Sequence, residues 1–580
     1  MSQHVVATAG HVDHGKSTLV QALTGMDPDR FDEEKRRGLT IDLGFAWTTL
    51  PSGNRVAFVD VPGHVRFLKN MLAGVGAVDA CVFVVAATEA WKPQSEEHLR
   101  ILELLGVAHG VIALTKVGVV DDDHAELARL EVADHVQGTF LERAPIVAVD
   151  APTGVGLGEL RLALDRMLAD TPAAADRARP RLWIDRSFAA AGAGTVVTGT
   201  LTGGALRVGD EVDIVRGSDV RAARVRGLQS LGEAHETIGP GNRVAVNLVG
   251  VHHREVARGD ALVHARQWHR TSVFDASLRV LASLDHEVSR RGAYVVYLGS
   301  GEHPARLRVL GPDAIPPGGE GHVRLHVDAA VPLTPGDRFV LRESGRAETV
   351  GGGEVLDVDP VVRAARARPD RSVERVVAER GWVDVDELER LTGERRAPTV
   401  GTWVVDDDAL RQACDDVTAR VRDAGGLGLD VAVLDERQRA VLDVLARAGD
   451  LDVAGGRAVV PGTADPLAGH PFVAALEAAP FTPPSPSDEG VTPSDLRELA
   501  RRGLVIEHDG VWFAPSAVDA AARVVATLLA AHPDGVTVAD VREALGTTRK
   551  WAVPLLTLLD GRGVTRRRGD VRVAGPRLPT

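Results

Sequence analysis

Cysteine is nearly absent from this chain: Cys81 and Cys414 are the two thiols in 580 residues. Two isolated thiols exclude a disulfide-built scaffold and a cysteine metal site, and they suit a reducing compartment. Cys81 lies in the apolar run Ala80 to Ala87 and reads as a buried strand residue. Lysine is scarce as well: Lys16, Lys35, Lys69, Lys92, Lys116 and Lys550 are the six among 67 basic residues. An arginine-biased chain keeps lysine mainly where a compact ammonium is required. No apolar run is long enough to span a bilayer, so no membrane partner is expected. The net charge of −14 argues against a protein that coats nucleic acid over its whole surface. Positive charge is short overall but not at the C-terminal end. From Asp540 to Thr580 nine Lys or Arg oppose four acids, the makings of a local anion-binding surface. The 44% apolar fraction is ordinary for globular chains, and the length suits roughly three to five domains.

Residues Gly10, His11, Val12, Asp13, His14, Gly15, Lys16 and Ser17 spell G-x-x-x-x-G-K-S. An apolar run (Val5, Val6, Ala7) precedes them, and a helix-like stretch opens at Thr18 and Leu19. Strand, glycine-rich loop and helix in that order let backbone N–H groups wrap phosphates at a helix N-terminus. The motif predicts a nucleoside triphosphate, with Lys16 on the β- and γ-phosphates and the Ser17 hydroxyl on Mg²⁺. Asp60-Val61-Pro62-Gly63-His64 follows the apolar run Val56 to Val59. An Asp at a strand end holds Mg²⁺ through water, and Gly63 offers its N–H to the γ-phosphate. Thr40, in Arg37-Gly38-Leu39-Thr40-Ile41, is a third metal ligand, engaged when the γ-phosphate is present. His64 is placed to orient the attacking water. The loop arrives within ten residues of the start, so no secretory leader is expected and the protein is read as cytoplasmic.

These motifs, in this order, resemble the translational GTPases related to elongation factor Tu. The resemblance implies GTP hydrolysed to GDP and phosphate, with Mg²⁺, and a catalytic group of His64, Lys16 and Gly63. One motif departs from the family. Thr115-Lys116-Val117-Gly118 has glycine where the family carries the aspartate that reads guanine. Two charge-assisted hydrogen bonds would be missing, roughly 1.5–3 kcal/mol each. Asp121 and Asp122 are the nearby carboxylates, displaced by a turn's worth of chain. Asp150-Ala151 resembles the family's Ser-Ala loop, whose alanine N–H faces the guanine O6.

Past Arg181 the pattern changes to short valine-rich strands with glycine turns, as in Gly192 to Thr200, and repeats from Ser272 to Val358. Two antiparallel β-barrels are expected, with hairpin turns at Gly209-Asp210 and Gly336-Asp337. The order again resembles elongation factor Tu, whose barrels hold aminoacyl-tRNA. Arg36 to Phe45, Asp185-Arg186-Ser187-Phe188 and Gly241 to Asn247 look like the selenocysteine-specific branch of that family. In that branch Asp42, Asp185, Arg186 and Arg243 would line the aminoacyl pocket. A selenol is more acidic than a thiol, so two guanidinium groups favour its anion over a serine hydroxyl, while a carboxylate suits the α-amino group.

After Pro360 the chain reads as tandem winged helices, four in number, three of them distinct in the sequence. Thr492 and Thr537 are N-caps with an acid three residues on, and Pro480 to Ser487 reads as an internal linker. The last copy carries the basic cluster: Arg549, Lys550 and Trp551 open a helix, with Arg566, Arg567, Arg568 and Arg572 on the wing. This resembles the winged helix with which the bacterial selenocysteine factors hold a messenger RNA hairpin beside a UGA codon. RNA hairpins are read at splayed bases and backbone, which suits arginines with an aromatic.

The expected fold is therefore multidomain: an α/β P-loop GTPase domain (1–172), barrels over 177–266 and 270–362, and winged helices over 368–580. The last of these, about 518–580, is expected to bind RNA. The resemblance implies a monomer that works with selenocysteinyl-tRNA, a messenger RNA hairpin and the ribosome. Two other readings of the same residues stay open here. One is a GTPase carrying another aminoacyl-tRNA; the other is a winged-helix nucleic-acid-binding regulator with a GTPase switch.

Overall fold

The computed structural model describes residues 3–28, 40, 42–63, 68–75, 78, 80–190, 192, 194–464 and 466–579. The chain divides into two units, Met1–Asp406 and Asp407–Thr580. The first begins with a six-stranded sheet: β1 (Gln3–Ala9), β2 (Gly44–Thr49), β3 (Arg55–Asp60), β4 (Ala80–Ala86), β5 (Gly110–Thr115) and β6 (Ile146–Ala148). Their order is β2-β3-β1-β4-β5-β6, parallel except for the β2 edge. The helices are α1 (Lys16–Thr24), α2 (Leu68–Val75), α3 (Pro93–Leu104), α4 (Asp122–His135) and α5 (Leu157–Ala169).

The continuous apolar runs that mark these strands have a simple cause, since a parallel sheet covered on both faces buries every side chain. In β1, Val6 joins Leu19 and Leu23 of α1 on one face, while Val5 and Ala7 join Leu99 and Leu102 of α3 on the other. Cys81, on β4, is wholly buried in that second cluster, as the sequence implies. Each buried leucine contributes roughly 1.5–3 kcal/mol over an exposed one. β1 pairs with β3 on one side and β4 on the other, so the crossovers diverge at its C-terminal end. A sheet of this kind binds ligands at that divergence.

Two barrels follow. In the first, Glu211–Arg216, Ala261–His264, Arg181–Trp183, Gly194–Thr202, Asn242–Val249 and Asp219–Ser230 form a ring closed by the pairing of its first and last strands. Strand Arg186–Ala190 pairs outside the ring with Gly194–Thr202. The second barrel closes over Arg270–Val280, Glu320–Pro332, Gly301–Leu310, Tyr294–Leu298, Arg338–Glu343 and Glu348–Asp357. Its core, around Phe274 and Phe339, continues into the helices Val373–Arg380 and Val385–Thr392.

The expected hairpins at Gly209-Asp210 and Gly336-Asp337 are not hairpins, because the strands on either side of each turn pair with other strands. Each turn instead extends the pairing of the strand that follows it by one residue, onto a valine of the neighbouring strand. Gly209 N–H donates to Val225 O (2.8 Å) and Val225 N–H to Asp210 O (2.9 Å). Gly336, Asp337 and Val355 repeat the arrangement at 2.8 Å in both bonds.

The second unit contains successive groups of helices and short strand pairs. The helices Asp407–Asp423 and Glu436–Ala448 come first, then Pro471–Ala478 and Pro493–Arg501 with the wing Ile506–His508 and Val511–Phe513. The last group is Pro515–Ala531, Val538–Ala544 and Arg549–Gly561 with the wing Thr565–Arg568 and Val571–Ala574. The proline-rich stretch 480–487 joins no separate bodies. The helices on either side of it share one core through Phe472, Leu476 and Leu499. Among the described residues no helix is long and apolar enough to cross a membrane.

Candidate functional site: phosphate loop, barrel pocket and basic wing

The phosphate loop leaves the end of β1 where the sheet diverges. Gly10 has φ +132°, and a Cβ there would lie 2.1 Å from the Val84 carbonyl oxygen, so no side chain fits. Its N–H donates to His98 Nδ1 at 3.1 Å. Burial pulls the His98 ring down to about 3, with Lys16 and His11 adding to the effect, so it stays neutral with the proton on Nε2. His14 is held likewise, Nδ1 3.2 Å from Val84 O and its pKa lowered to about 3 chiefly by burial. The Lys16 ammonium is buried, donating to Gly10 O (3.1 Å) and His11 O (2.7 Å). Burial lowers it to about 8 against the opposing pull of Asp60 and Asp13. Gly63 closes over the loop, and a Cβ there would meet Lys16 Nζ at 2.5 Å and the Val12 nitrogen at 2.6 Å.

Three expected metal ligands come together from separate segments. Ser17 Oγ lies 2.6 Å from Asp60 Oδ2 and 2.7 Å from Thr40 Oγ1, and Asp60 Oδ1 accepts from Thr8 Oγ1 at 2.7 Å. Two hydroxyls and a carboxylate form a hard, all-oxygen set that fits Mg²⁺. His64 falls outside the described residues.

On the base side, β5 and β6 are parallel neighbours, with Leu114 opposite Ala148, so the loops that follow them face each other. Thr115 Oγ1 donates to His14 O (2.6 Å), tying the Thr-Lys segment to the phosphate loop. Lys116 takes a left-handed backbone (φ +59°), with its ammonium 3.8 Å from Glu89. Neither sequence neighbour of Gly118 stands in for the missing carboxylate. Asp121 caps α4 by accepting from His124 N–H at 2.8 Å, and Asp122 lies in the exposed first turn. What lies against Gly118 is Asp150: a Cβ on residue 118 would meet its Cγ and Oδ2 at 2.9 Å.

Of the four expected pocket residues, the two arginines face a cavity where β2 approaches the first barrel, whereas Asp42 and Asp185 are not among its lining residues. The guanidinium groups of Arg186 and Arg243 stand 4.3 and 3.5 Å from the centre of the Phe45 ring. Both line a cavity of about 340 Å³ with Phe45, Trp47, Phe188 and Ser230. Asp185, almost fully buried, accepts both ends of Arg243 (2.6 and 2.8 Å) and the Thr198 hydroxyl (2.7 Å). Asp42 is taken by Arg258 at 2.5 Å, whose fork also reaches Asn70 Oδ1 and the Asp185 carbonyl. Burial alone would raise the Asp42 carboxyl, but the bond from Arg258 outweighs it and holds it low. Arg258 escapes a reading by motif, because its role arises from a contact between domains rather than from spacing.

At the C-terminal end, Arg549, Lys550, Arg566, Arg567 and Arg568 are exposed on the helix start and wing, with Lys550 Nζ 5.2 Å from the Trp551 ring centre. Arg572 does not belong with them. It is buried, its Nε donating to Asp560 Oδ2 at 3.0 Å, and it pins the wing to the helix that precedes it.

Comparison with known proteins places these features together. The family model for the elongation factor Tu GTP binding domain matches residues 2–170. The beta-barrel domain of selenocysteine-specific elongation factor matches 275–361, and the winged helix of elongation factor SelB matches 527–574. The selenocysteine-specific elongation factor of Desulfomicrobium baculatum is 32% identical over 98% of this chain and 99% of its own length. That of Escherichia coli (strain K12) is 30% identical over 98% of each. This chain belongs to the selenocysteine-specific elongation factors. A crystal structure of a bacterial selenocysteine-specific elongation factor, EF-Sec, superposes with a TM-score of 0.73 at 25% identity, covering 99% of this chain and 100% of that one. As a selenocysteine-specific elongation factor the chain is a GTPase that binds guanine nucleotide.

Proposed function

We propose that this elongation factor carries selenocysteinyl-tRNA to the ribosome at UGA codons in a GTP-driven cycle, while its last winged helix holds a hairpin of the messenger RNA. The observation that carries the reading is the pair of guanidinium groups, Arg186 and Arg243, stacked on Phe45 at the mouth of a cavity large enough for an aminoacyl group. A selenolate placed there meets two cations, whereas a serine hydroxyl offers them no charge. Asp185 serves this pocket by fixing Arg243, not by facing the substrate amine.

In the nucleotide site, Lys16 exchanges the Gly10 and His11 carbonyls for the β- and γ-phosphates. Ser17, Thr40 and Asp60 would hold Mg²⁺, which when bound neutralises charge on those phosphates. Thr40 and Gly63 report the γ-phosphate, since both lie directly against the loop. His64 orients the attacking water, and loss of the γ-phosphate frees the tRNA. The exposed arginines of the last wing, with Trp551, suit an RNA backbone and a splayed base. The protein works as a cytoplasmic monomer.

The deciding experiment measures binding of one tRNA charged in turn with selenocysteine, cysteine and serine to the GTP-analogue-loaded protein. The selenocysteinyl form is expected to bind about 100-fold tighter than the seryl form, and Arg243→Met to remove most of that preference. Equal affinity for all three charged forms would overturn the reading.

A further inference from the structure

The loop after β5 has no side chain at residue 118, and Asp150 from the loop after β6 lies against that position. An aspartate at 118 would carry its carboxylate oxygens about 2.4 Å from its own Cβ, by ordinary bond lengths and angles. The Asp150 carboxylate occupies that neighbourhood: Cγ and Oδ2 stand 2.9 Å, and Oδ1 3.3 Å, from the Cβ position on Gly118. A side chain at 118 would therefore press on the Asp150 carboxylate and force it to shift.

Asp150 is also held still. It is buried, its N–H donates to Val155 O at 3.0 Å, and its carbonyl accepts from Gly154 N–H at 2.9 Å. The Thr153 hydroxyl donates to Oδ2 at 2.5 Å, which orients the carboxylate within its loop. A buried carboxylate is costly unless donors satisfy it, so a ligand that brings N–H donors to Asp150 is stabilised there.

We propose that Asp150 is the guanine-reading group of this protein, its carboxylate delivered from the loop after β6 in place of a side chain at 118. The inference rests on the guanine-nucleotide reading above and names the residue that enforces it. Guanine presents two donors on this edge, N1–H and the 2-amino group, and a carboxylate is acceptor-only, so the match is complete. Adenine presents the bare N1 acceptor and is repelled. Xanthine has an oxygen at position 2 instead of the amino group, so an amide, with one donor and one acceptor, matches xanthine better than guanine.

The test is calorimetric titration of the full-length protein with GTP, XTP and ATP in Mg²⁺. The wild type is expected to favour GTP over both rivals. Asp150→Asn should lose about 100-fold or more in GTP affinity and gain a preference for XTP, which also proves the variant folded. The paired exchange Gly118→Asp with Asp150→Ser should restore GTP preference, because it moves the same carboxylate to the other loop. Gly118→Asp alone should bind GTP poorly, since two carboxylates cannot share the space. If Asp150→Asn keeps the wild-type ratio of GTP to XTP, the proposal falls while the guanine-nucleotide reading stands. If the wild type shows no preference for GTP, both fall.

Discussion

His98 acts as a neutral hydrogen-bond acceptor for the Gly10 N–H because its ring is buried beneath the phosphate loop. Burial lowers its pKa to about 3, so the unfolded chain takes up a proton near the ordinary value of 6.5 and the folded chain does not. Stability from this residue is complete above pH 6.5 and falls as pH drops from there toward 3. At pH 5 the loss amounts to about 2 kcal/mol. His98→Gln removes that proton uptake while an amide oxygen can still accept from Gly10. Urea unfolding at pH 7.5 and 5.0 should show a smaller pH penalty in the variant, and an equal penalty in both proteins would refute the assignment. Gly118 shows the limit of motif reading at this scale. Its lost carboxylate was legible, but the neighbours in sequence, Asp121 and Asp122, were the wrong place to look for a substitute. The parallel pairing of β5 with β6 brings residue 150 closer to 118 than residue 121 is. The one sequence signal was reciprocal: a missing acid at 118 with an extra acid at 150.

Among the elements, those set by local chemistry were legible. Thr492 and Thr537 cap their helices as read, accepting from Asp495 and Asp540 N–H, and Thr537 with Asp540 completes the reciprocal box. Strand pairing was not legible at the two Gly-Asp turns, because a turn residue reports the bend and not which strand lies beside it. Long-range charge was equally hidden. Glu498, 3% exposed, accepts from Arg457 (3.0 Å), Arg501 (2.6 Å) and Arg502 (2.8 Å), and Arg457 lies forty-one residues away. Bonds from Arg501, Arg502 and Arg457 outweigh burial and hold its carboxyl down at about 2, below the usual 4.5. Its stabilisation is therefore present above pH 4.5 and lost as pH falls through 2. Glu498→Gln should lower unfolding free energy at pH 7 by about 1–3 kcal/mol and reduce the loss of stability between pH 4.5 and 2 by this residue's share. Thermal melting across that range checks both, and a variant as stable as the wild type at pH 7 would refute the role.

For the whole molecule, a chain of net charge −14 meets nucleic acid where it concentrates positive charge, and exposure decides which charges take part. Composition located the basic end, but not the state of each arginine. Arg572 sits one strand away from Arg567 yet is spent on Asp560, because a wing this small needs a buried ion pair to pin it to its helix. Each phosphate neutralised by a side chain releases counterions, so the slope of log affinity against log salt counts the contacts, at about 0.7–0.9 each. Binding of the full-length protein to an RNA hairpin from a messenger with an in-frame UGA should therefore weaken steeply with salt. Arg566→Ala and Arg568→Ala should each reduce the slope by about one contact's worth. Arg572→Ala should lower the melting temperature and leave the slope of the folded protein unchanged. A slope indifferent to Arg566 and Arg568 but reduced by Arg572→Ala would mean that RNA is held on another face, and that the buried ion pair opens to reach it.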